Sequence, residues 1–208
     1  LFTSSVSGTI ESIKRGDKRA IEEIIISADS NKEYEDFGTD SLASMQRENV
    51  VEKLLKSGLW TLIRQRPYST IPNPDVQPKC IIVKGFDSSP LGADYNFLLK
   101  GKSADLQLGV DVLRKLTSGK IHINVSATET TCNELLKLEN VQINRFEGAH
   151  PAGNVSVQIA NIDPINKGDI IWYIDAQDLA IIGKLFASGR VEMQKMIALV
   201  GPEVKNPQ

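Results

Sequence analysis

The sequence predicts an α/β fold, a parallel sheet covered by helices on both faces, preceded by a short all-β segment. Three observations carry this expectation. From residue 47 onward, short apolar strands alternate with helical stripes of about ten to fifteen residues, the pattern of βαβ units. Ile170–Ile174 and Met196–Val200 are apolar without polar alternation, as strands buried on both sides are. Ahead of residue 29 the chain is β-branched and turn-punctuated, with no helical period.

In chain order, Thr9–Ile13 and Ala20–Ser27 read as strands around the turn Arg15-Gly16-Asp17-Lys18. Residues 29–46 carry Asp29, Glu33, Glu35, Asp36 and Asp40 and read as a surface connection. Val50, Val51, Leu54 and Leu55 form one helical stripe closed by Gly58, and a further helical turn or two is expected at Leu59–Gln65. Pro67, Pro72, Pro74 and Pro78 exclude regular helix and imply a stiff, extended loop. Cys80–Phe86 reads as a buried strand. Ser103 is expected to cap a helix that puts Leu106, Val110, Leu113 and Leu116 on one face and ends by Gly119, before a strand at Ile121–Val125.

The spacing Thr131-x-x-Glu134 reads as a capping box opening a short helix through Leu138, followed by a strand at Val141–Phe146. Asp169–Asp175 is the next strand. Asp175 or a near neighbour caps a helix bearing Leu179, Ile182 and Phe186, Gly189 stops it, and Met196–Val200 is the expected final strand. The chain thus divides into a β segment at 1–28, a connection at 29–46 and an α/β domain at 47–208.

Composition excludes several functions. With 24 basic and 26 acidic side chains the net charge is −2, which gives no electrostatic footing for nucleic acid. The longest apolar runs are five residues, Ile170–Ile174 and Met196–Val200, far short of the ~20 needed to span a bilayer. Cys80, Cys132, His122 and His150 are too few and too scattered for a zinc or iron–sulfur site, and the two cysteines, which could form one disulfide, read more simply as buried thiols. The chain opens on Leu1 in what reads as mid-protein strand, so a piece of a longer protein is expected.

Searches for catalytic motifs are mostly negative. No G-x-G-x-x-G follows a strand, and Gly101-Lys102-Ser103 lacks the earlier glycine of a phosphate loop, since Asn96 stands there. No G-x-S-x-G elbow places a nucleophile. Three local features remain. Gly58–Pro67 sets Trp60 beside Arg64 and Arg66, which could hold an anion or an acidic partner; the plainer alternative is a core Trp with solvated arginines. His150-Pro151-Ala152-Gly153 puts a His at a stiff turn between strands, with a ligand role set against simple backbone capping. Phe86–Asp94 leaves a strand end, where Asp87 and Asp94 could meet a ribose or a cation, or could only turn the chain.

Across these segments the chain resembles the A-subunit family of the sodium-translocating NADH:quinone oxidoreductases. The matching residues are Ser7-Gly8-Thr9-Ile10; Ser57-Gly58-Leu59-Trp60-Thr61 with Arg64 and Arg66-Pro67; Asp87 with Pro90-Leu91; Lys120-Ile121-His122; Gly148-Ala149-His150-Pro151-Ala152-Gly153; and Trp172 with Gln177-Asp178 and Gly189-Arg190. They run collinearly along nearly the whole chain, and the Gly-Leu-Trp-Thr run and the His-Pro-Ala-Gly turn are the most specific.

The resemblance implies a Rossmann-like α/β domain similar to the flavin-binding subunit of respiratory complex I, with the N-terminal β segment a remnant of a lipoyl-like barrel-sandwich. It implies a peripheral subunit on the cytoplasmic side of the bacterial inner membrane, docked on the membrane-embedded quinone-site subunit of a complex that couples NADH oxidation and quinone reduction to sodium export. Flavins and iron–sulfur are then expected only in the partner subunits. This chain is expected to hold no metal, no redox cofactor and no catalytic residue, with quinone as the one ligand it would share. Trp60, Arg64, Arg66, His150, Pro151 and Gly153 are the residues nominated for a partner or quinone surface. Where flavin-binding relatives carry a glycine-rich loop, Trp60, Leu62, Ile63 and Gln65 stand here, and bulky side chains deny phosphate a close backbone approach. Two other readings stay open: a flavin- or nucleotide-binding oxidoreductase domain, and a pure interaction module. The fragment by itself is not expected to oxidise NADH.

Overall fold

The computed structural model describes residues 3–128 and 133–205. At the front, β1 (Gly8–Arg15) and β2 (Ile21–Ala28) pair antiparallel through a single helical turn at Asp17–Arg19. The left-handed positions of that reversal are Lys18 and Arg19, at φ 53° and 63°, not Gly16. The register brings Ile10 opposite Ile26 and Ile13 opposite Ile24, and Ile10, Ile13 and Ile24 are exposed. A two-stranded ribbon has no second layer of its own on which to bury such a face.

The rest of the chain builds one mixed sheet from β3 (Arg64–Arg66), β4 (Cys80–Lys84), β5 (Lys120–Ser126), β6 (Gln142–Phe146) and β7 (Ile171–Asp175), in the order β3-β7-β4-β5-β6. Four strands are parallel, as expected from their alternation with helices, whereas β3 lies antiparallel on β7. That edge corrects two expectations. The sheet is not wholly parallel, and Leu59–Gln65 is a helical turn only over Leu59–Leu62 before it becomes strand. A three-residue Arg-Gln-Arg strand has no period to read, and only its bond from Gln65 N to Thr70 O and its pairing with β7 define it.

Six helices complete the domain: α1 (Arg47–Lys56), α2 (Tyr95–Leu98), α3 (Ser103–Leu116), α4 (Asn133–Leu136), α5 (Val155–Ile162) and α6 (Ala176–Ser188), counted among the described residues. Asp175 caps α6 by accepting from Gln177 N at 2.9 Å, as its position predicts. Ser103 does not cap α3. It is the first helical residue, and Lys102 before it makes no side-chain cap bond. Thr131 of the expected capping box, like Cys132, lies outside the described residues, while Glu134 accepts from Gly101 N at 3.2 Å. Helix α5 departs from expectation. Asn154 caps it by accepting from Ser156 N at 2.9 Å, and its short stripe of Val155, Ile159 and Ile162 is too brief to announce a helix. The His150 turn therefore joins a strand to a helix rather than two strands.

The core lies chiefly on one face. Leu106, Val110, Leu113 and Leu116 of α3 and Leu179, Ile182 and Leu185 of α6 are fully buried over Ile81, Val83, Ile123 and Trp172. On the other face a smaller cluster sets Val155 and Ile159 over Cys80, Ile82 and Ile171. Met196–Val200, expected as the last strand, belongs to neither. It runs outside the sheet with Ile197 80% exposed, held by the Gln177 side chain, whose amide nitrogen donates to Met196 O and whose oxygen accepts from Met196 N. An apolar run shows that a segment suits a strand, not that a partner strand exists.

Helices α3 and α6 meet at two glycines. A β-carbon on Gly183 would stand 1.8 Å from Asp105 O, and one on Gly109 would stand 2.5 Å from Leu179 O. Gly183→Ala should gain about 1 kcal/mol of helix propensity, yet the backbone clash outweighs it. The net expectation is a loss of about 1–3 kcal/mol in urea unfolding, and a stabilised variant would contradict this packing.

Candidate functional site

In a sheet of this kind ligands meet the carboxyl ends of the parallel strands. There β4 runs into Gly85 and the buried Phe86, which stacks on Phe146 at the end of β6 with ring centroids 6.3 Å apart. The next residue, Asp87, accepts from Ser89 N at 2.9 Å and from Ser89 Oγ at 2.8 Å, with Lys84 Nζ 3.4 Å away. Burial works against its charge, but the Ser89 bonds and Lys84 outweigh it and hold the carboxyl below the ordinary aspartate value. At the end of β7, Tyr95 OH donates to Asp175 Oδ2 at 2.5 Å. Burial first, and then the Asp175 charge, push that phenol well above its usual range, so it remains a donor.

Two nominated segments come together on the α5 side of the sheet. Gly153 N donates to Ser88 Oγ at 2.8 Å, and the same hydroxyl lies 3.2 Å from His150 Nδ1. The fit is close, since a β-carbon on Gly153 would stand 2.5 Å from Ser88 N. Both His150–Pro151 and Arg66–Pro67 are cis. Arg66 pairs with Ile171, so it points to the α5 face, where its guanidinium donates to Ser156 Oγ. Arg66, His150, Pro151 and Gly153 are thus gathered around the start of α5, with His150 and Pro151 exposed.

Trp60 is not with them. It is 3% exposed, packs edge-to-face on Trp172 at 5.4 Å, and donates from Nε1 to Pro72 O at 2.9 Å. The plain core reading of Trp60 describes its surroundings. Arg64 is exposed on the outer strand.

No sequence signal flags what joins the turn to the sheet. Asn144 Nδ2 donates to His122 Nδ1 at 3.1 Å and to Asn124 Oδ1 at 2.9 Å, Asn124 Nδ2 donates to Gln158 Oε1 at 2.8 Å, and Gln158 Nε2 donates to Ala152 O at 3.3 Å. Asn124 and Gln158 are fully buried, and His122 is 4% exposed. Most buried polar groups are paired, and this row pairs its members across β5, β6 and α5. Beside it, between β6 and α5, lies an open groove of about 600 Å³ that includes Asn144, Phe146, Val157 and Asn161. No spacing rule marks lone polar residues that meet from three elements. Ser88, which anchors the turn, carries no signal beyond its loop.

A second, larger cavity of about 1270 Å³ lies between α1 and the 29–40 connection, with Tyr34, Phe37, Lys53 and Met193 in its wall. Lys53 Nζ donates to Gly38 O at 2.5 Å and sits 4.8 Å from the Phe186 ring centroid. Burial lowers its pKa, against the pull of Asp40 and Asp36. Among the described residues no group of three or more His, Cys, Asp or Glu side chains could hold a metal ion, and no helix is long and apolar enough to cross a membrane. Cys80 is a free, buried thiol whose pKa burial pushes up to about 11.

The family model described as the NqrA second alpha/beta domain matches residues 45–191. The A subunit of the Na(+)-translocating NADH-quinone reductase of Neisseria meningitidis serogroup A / serotype 4A is 38% identical over 210 residues, which are 100% of this chain and 46% of that protein. Its counterpart in Hahella chejuensis is 38% identical over 209 residues, with 100% and 46% covered. That of Pasteurella multocida is 34% identical over 210 residues, with 100% and 47% covered. The chain spans about half the length of the curated relatives it matches.

Two outcomes follow from this geometry. Trp172 Nε1 is buried without a hydrogen-bond partner, whereas Trp60 Nε1 has one. Trp60→Phe, which orphans the buried Pro72 carbonyl, should therefore cost about 1–2 kcal/mol more than Trp172→Phe in urea unfolding, and the reverse order would refute the assignment. Burial, with help from Lys120, holds the His122 imidazole below the ordinary histidine value. The unfolded chain takes up that proton near pH ~6.5 and the folded chain only below it, so stability is full above ~6.5 and falls as the pH drops further. His122→Gln should flatten that part of the profile; an unchanged slope would assign it to other groups.

Proposed function

Since the chain belongs to the A-subunit family of the Na(+)-translocating NADH-quinone reductases, we propose that it serves as a peripheral, cofactor-free part of such a complex, giving docking surface and a share in a quinone site. Its partners are the other subunits, above all the membrane-embedded one that carries the quinone site. Flavins and iron–sulfur belong to those partners, and the assembly oxidises NADH, reduces quinone and exports sodium. The chain works on the cytoplasmic side of the bacterial inner membrane. Residues 47–208 act as a Rossmann-like domain of the complex I flavin-subunit type, residues 1–28 as a remnant of a lipoyl-like sandwich, and 29–46 as the link.

One observation carries the cofactor-free reading. Because β3 runs antiparallel to β7, with Arg64 opposite Tyr173, the turn just before it sits at the carboxyl edge of the parallel strands. Leu59, Trp60 and Ile63 fill that turn and are 1%, 3% and 0% exposed. A nucleotide phosphate needs glycine backbone that it can approach closely, and packed apolar side chains refuse it. The docking reading draws on what lies outside that plug: Arg64, His150 and Pro151 are exposed at the same end of the domain.

The test uses the full-length protein. Arg64→Ala should weaken co-purification of the other subunits and shift the protein's own stability by no more than ~0.5 kcal/mol. Arg66→Ala should lower the melting temperature, because it breaks the tie to Ser156. Undiminished co-purification of the Arg64 variant counts against this docking face. A purified full-length protein with stoichiometric flavin absorbance overturns the cofactor-free reading.

A further inference from the structure

Asn144 Nδ2 uses both of its hydrogens, one on His122 Nδ1 and one on Asn124 Oδ1. That arrangement fixes the neutral ring with its hydrogen on Nε2 and its lone pair on Nδ1. It also fixes the sense of everything downstream. Asn124 turns its nitrogen to Gln158, and Gln158 turns its nitrogen to Ala152 O.

We propose that the row His122–Asn144–Asn124–Gln158 is a proton-operated switch, in which a proton taken up by His122 reverses the row amide by amide and frees the Ala152 carbonyl, loosening the His150–Gly153 turn. The steps need only that proton from solvent and no change in oxidation. Protonated, Nδ1 becomes a donor, and Asn144 can meet it only by rotating its amide to present Oδ1. That oxygen then confronts Asn124 Oδ1, so Asn124 rotates and donates Nδ2 to it. Asn124 Oδ1 now faces Gln158, which rotates and donates Nε2. Gln158 Oε1 is left facing Ala152 O, two acceptors across a contact of 3.3 Å in the starting state. The row has no further amide to turn, and two facing acceptors repel, so the buried Gln158 loses its hold on Ala152. The conflict therefore comes to rest at the turn.

The groups around His122 set the threshold. Lys120 lies on its own strand. Asp163, just past α5, lies on the other side, tied to Lys79, which also pairs with Asp169. On β4 the same face carries the buried Cys80 thiol and, paired with Asp87, Lys84, two residues to either side of the Ile82 that faces His122, and β6 presents only the uncharged Gln142 and Asn144 across from His122 and Asn124. Burial is the largest influence, and it places the switch on the acid side of the ordinary histidine range. His150 lies within the turn itself, in contact with Ser88, and its variant separates the two histidines.

Three turn amides report the state: Ala152 N on Ala149 O, Gly153 N on Ser88 Oγ, and Asn154 N on Pro151 O. Hydrogen exchange of the full-length protein, corrected for intrinsic rates between about pH 7.5 and 5, reads them directly. Their protection should fall roughly tenfold on acidification in the native protein and in His150→Gln, and stay constant with pH in His122→Gln. Gln158→Met, which cannot hold Ala152 at any pH, should give low protection at both ends. Flat protection in the native protein, a surviving acid loss in His122→Gln, loss abolished by His150→Gln, or high protection in Gln158→Met each overturns the switch.

Discussion

The contact between α3 and α6 leaves no room for a β-carbon at Gly109 or Gly183, and the rest of the domain is laid over that seam. Two helices this close present almost continuous apolar surface to the sheet, so Ile81, Val83 and Ile123 are buried beneath the leucines of α3 and α6. Strand β7 leads straight into α6 through Asp175, which ties the seam to the carboxyl edge of the sheet. The position of β3, and of the Trp60 turn ahead of it, follows from β7 in turn. A shift at the seam would reach the candidate surface through one strand.

Much of this is legible in the sequence where the physics is local and repeated. The stripes of α1, α3 and α6, the Asp175 cap and the doubly buried strands β4 and β7 each follow from period, cap chemistry or unbroken apolarity. Reading fails where an element owes its existence to a distant partner. Arg64–Arg66 is a strand because β7 is there, and Val155–Ile162 is a helix because Asn154 caps it and a sheet face lies below. Met196–Val200 fails in the opposite sense, with every local mark of a buried strand and no strand beside it among the described residues.

The candidate surface divides in the same way. The His150–Gly153 turn and Arg66 stand out in the sequence and meet at the start of α5. Trp60 stands out too, but its neighbours are Trp172 and the Pro72 carbonyl, so it shapes the edge from inside. The row from His122 to Gln158 is invisible there because its members are one imidazole and three single amides spread over three elements. Its meaning lies in which atom donates to which, and residue spacing does not encode that.

Trp60 and Trp172 are the only two tryptophans in the chain, and they stand edge-to-face at 5.4 Å. At that range excitation passes between the two rings, so their emission reports on one place rather than two. Any intrinsic-fluorescence record of this chain is therefore a record of the β3–β7 edge. It is blind to α5, to the polar row and to the outer hairpin. A ligand that changes that emission has reached the sheet edge or moved it, and one that binds at the His150 turn needs a label placed there to be seen.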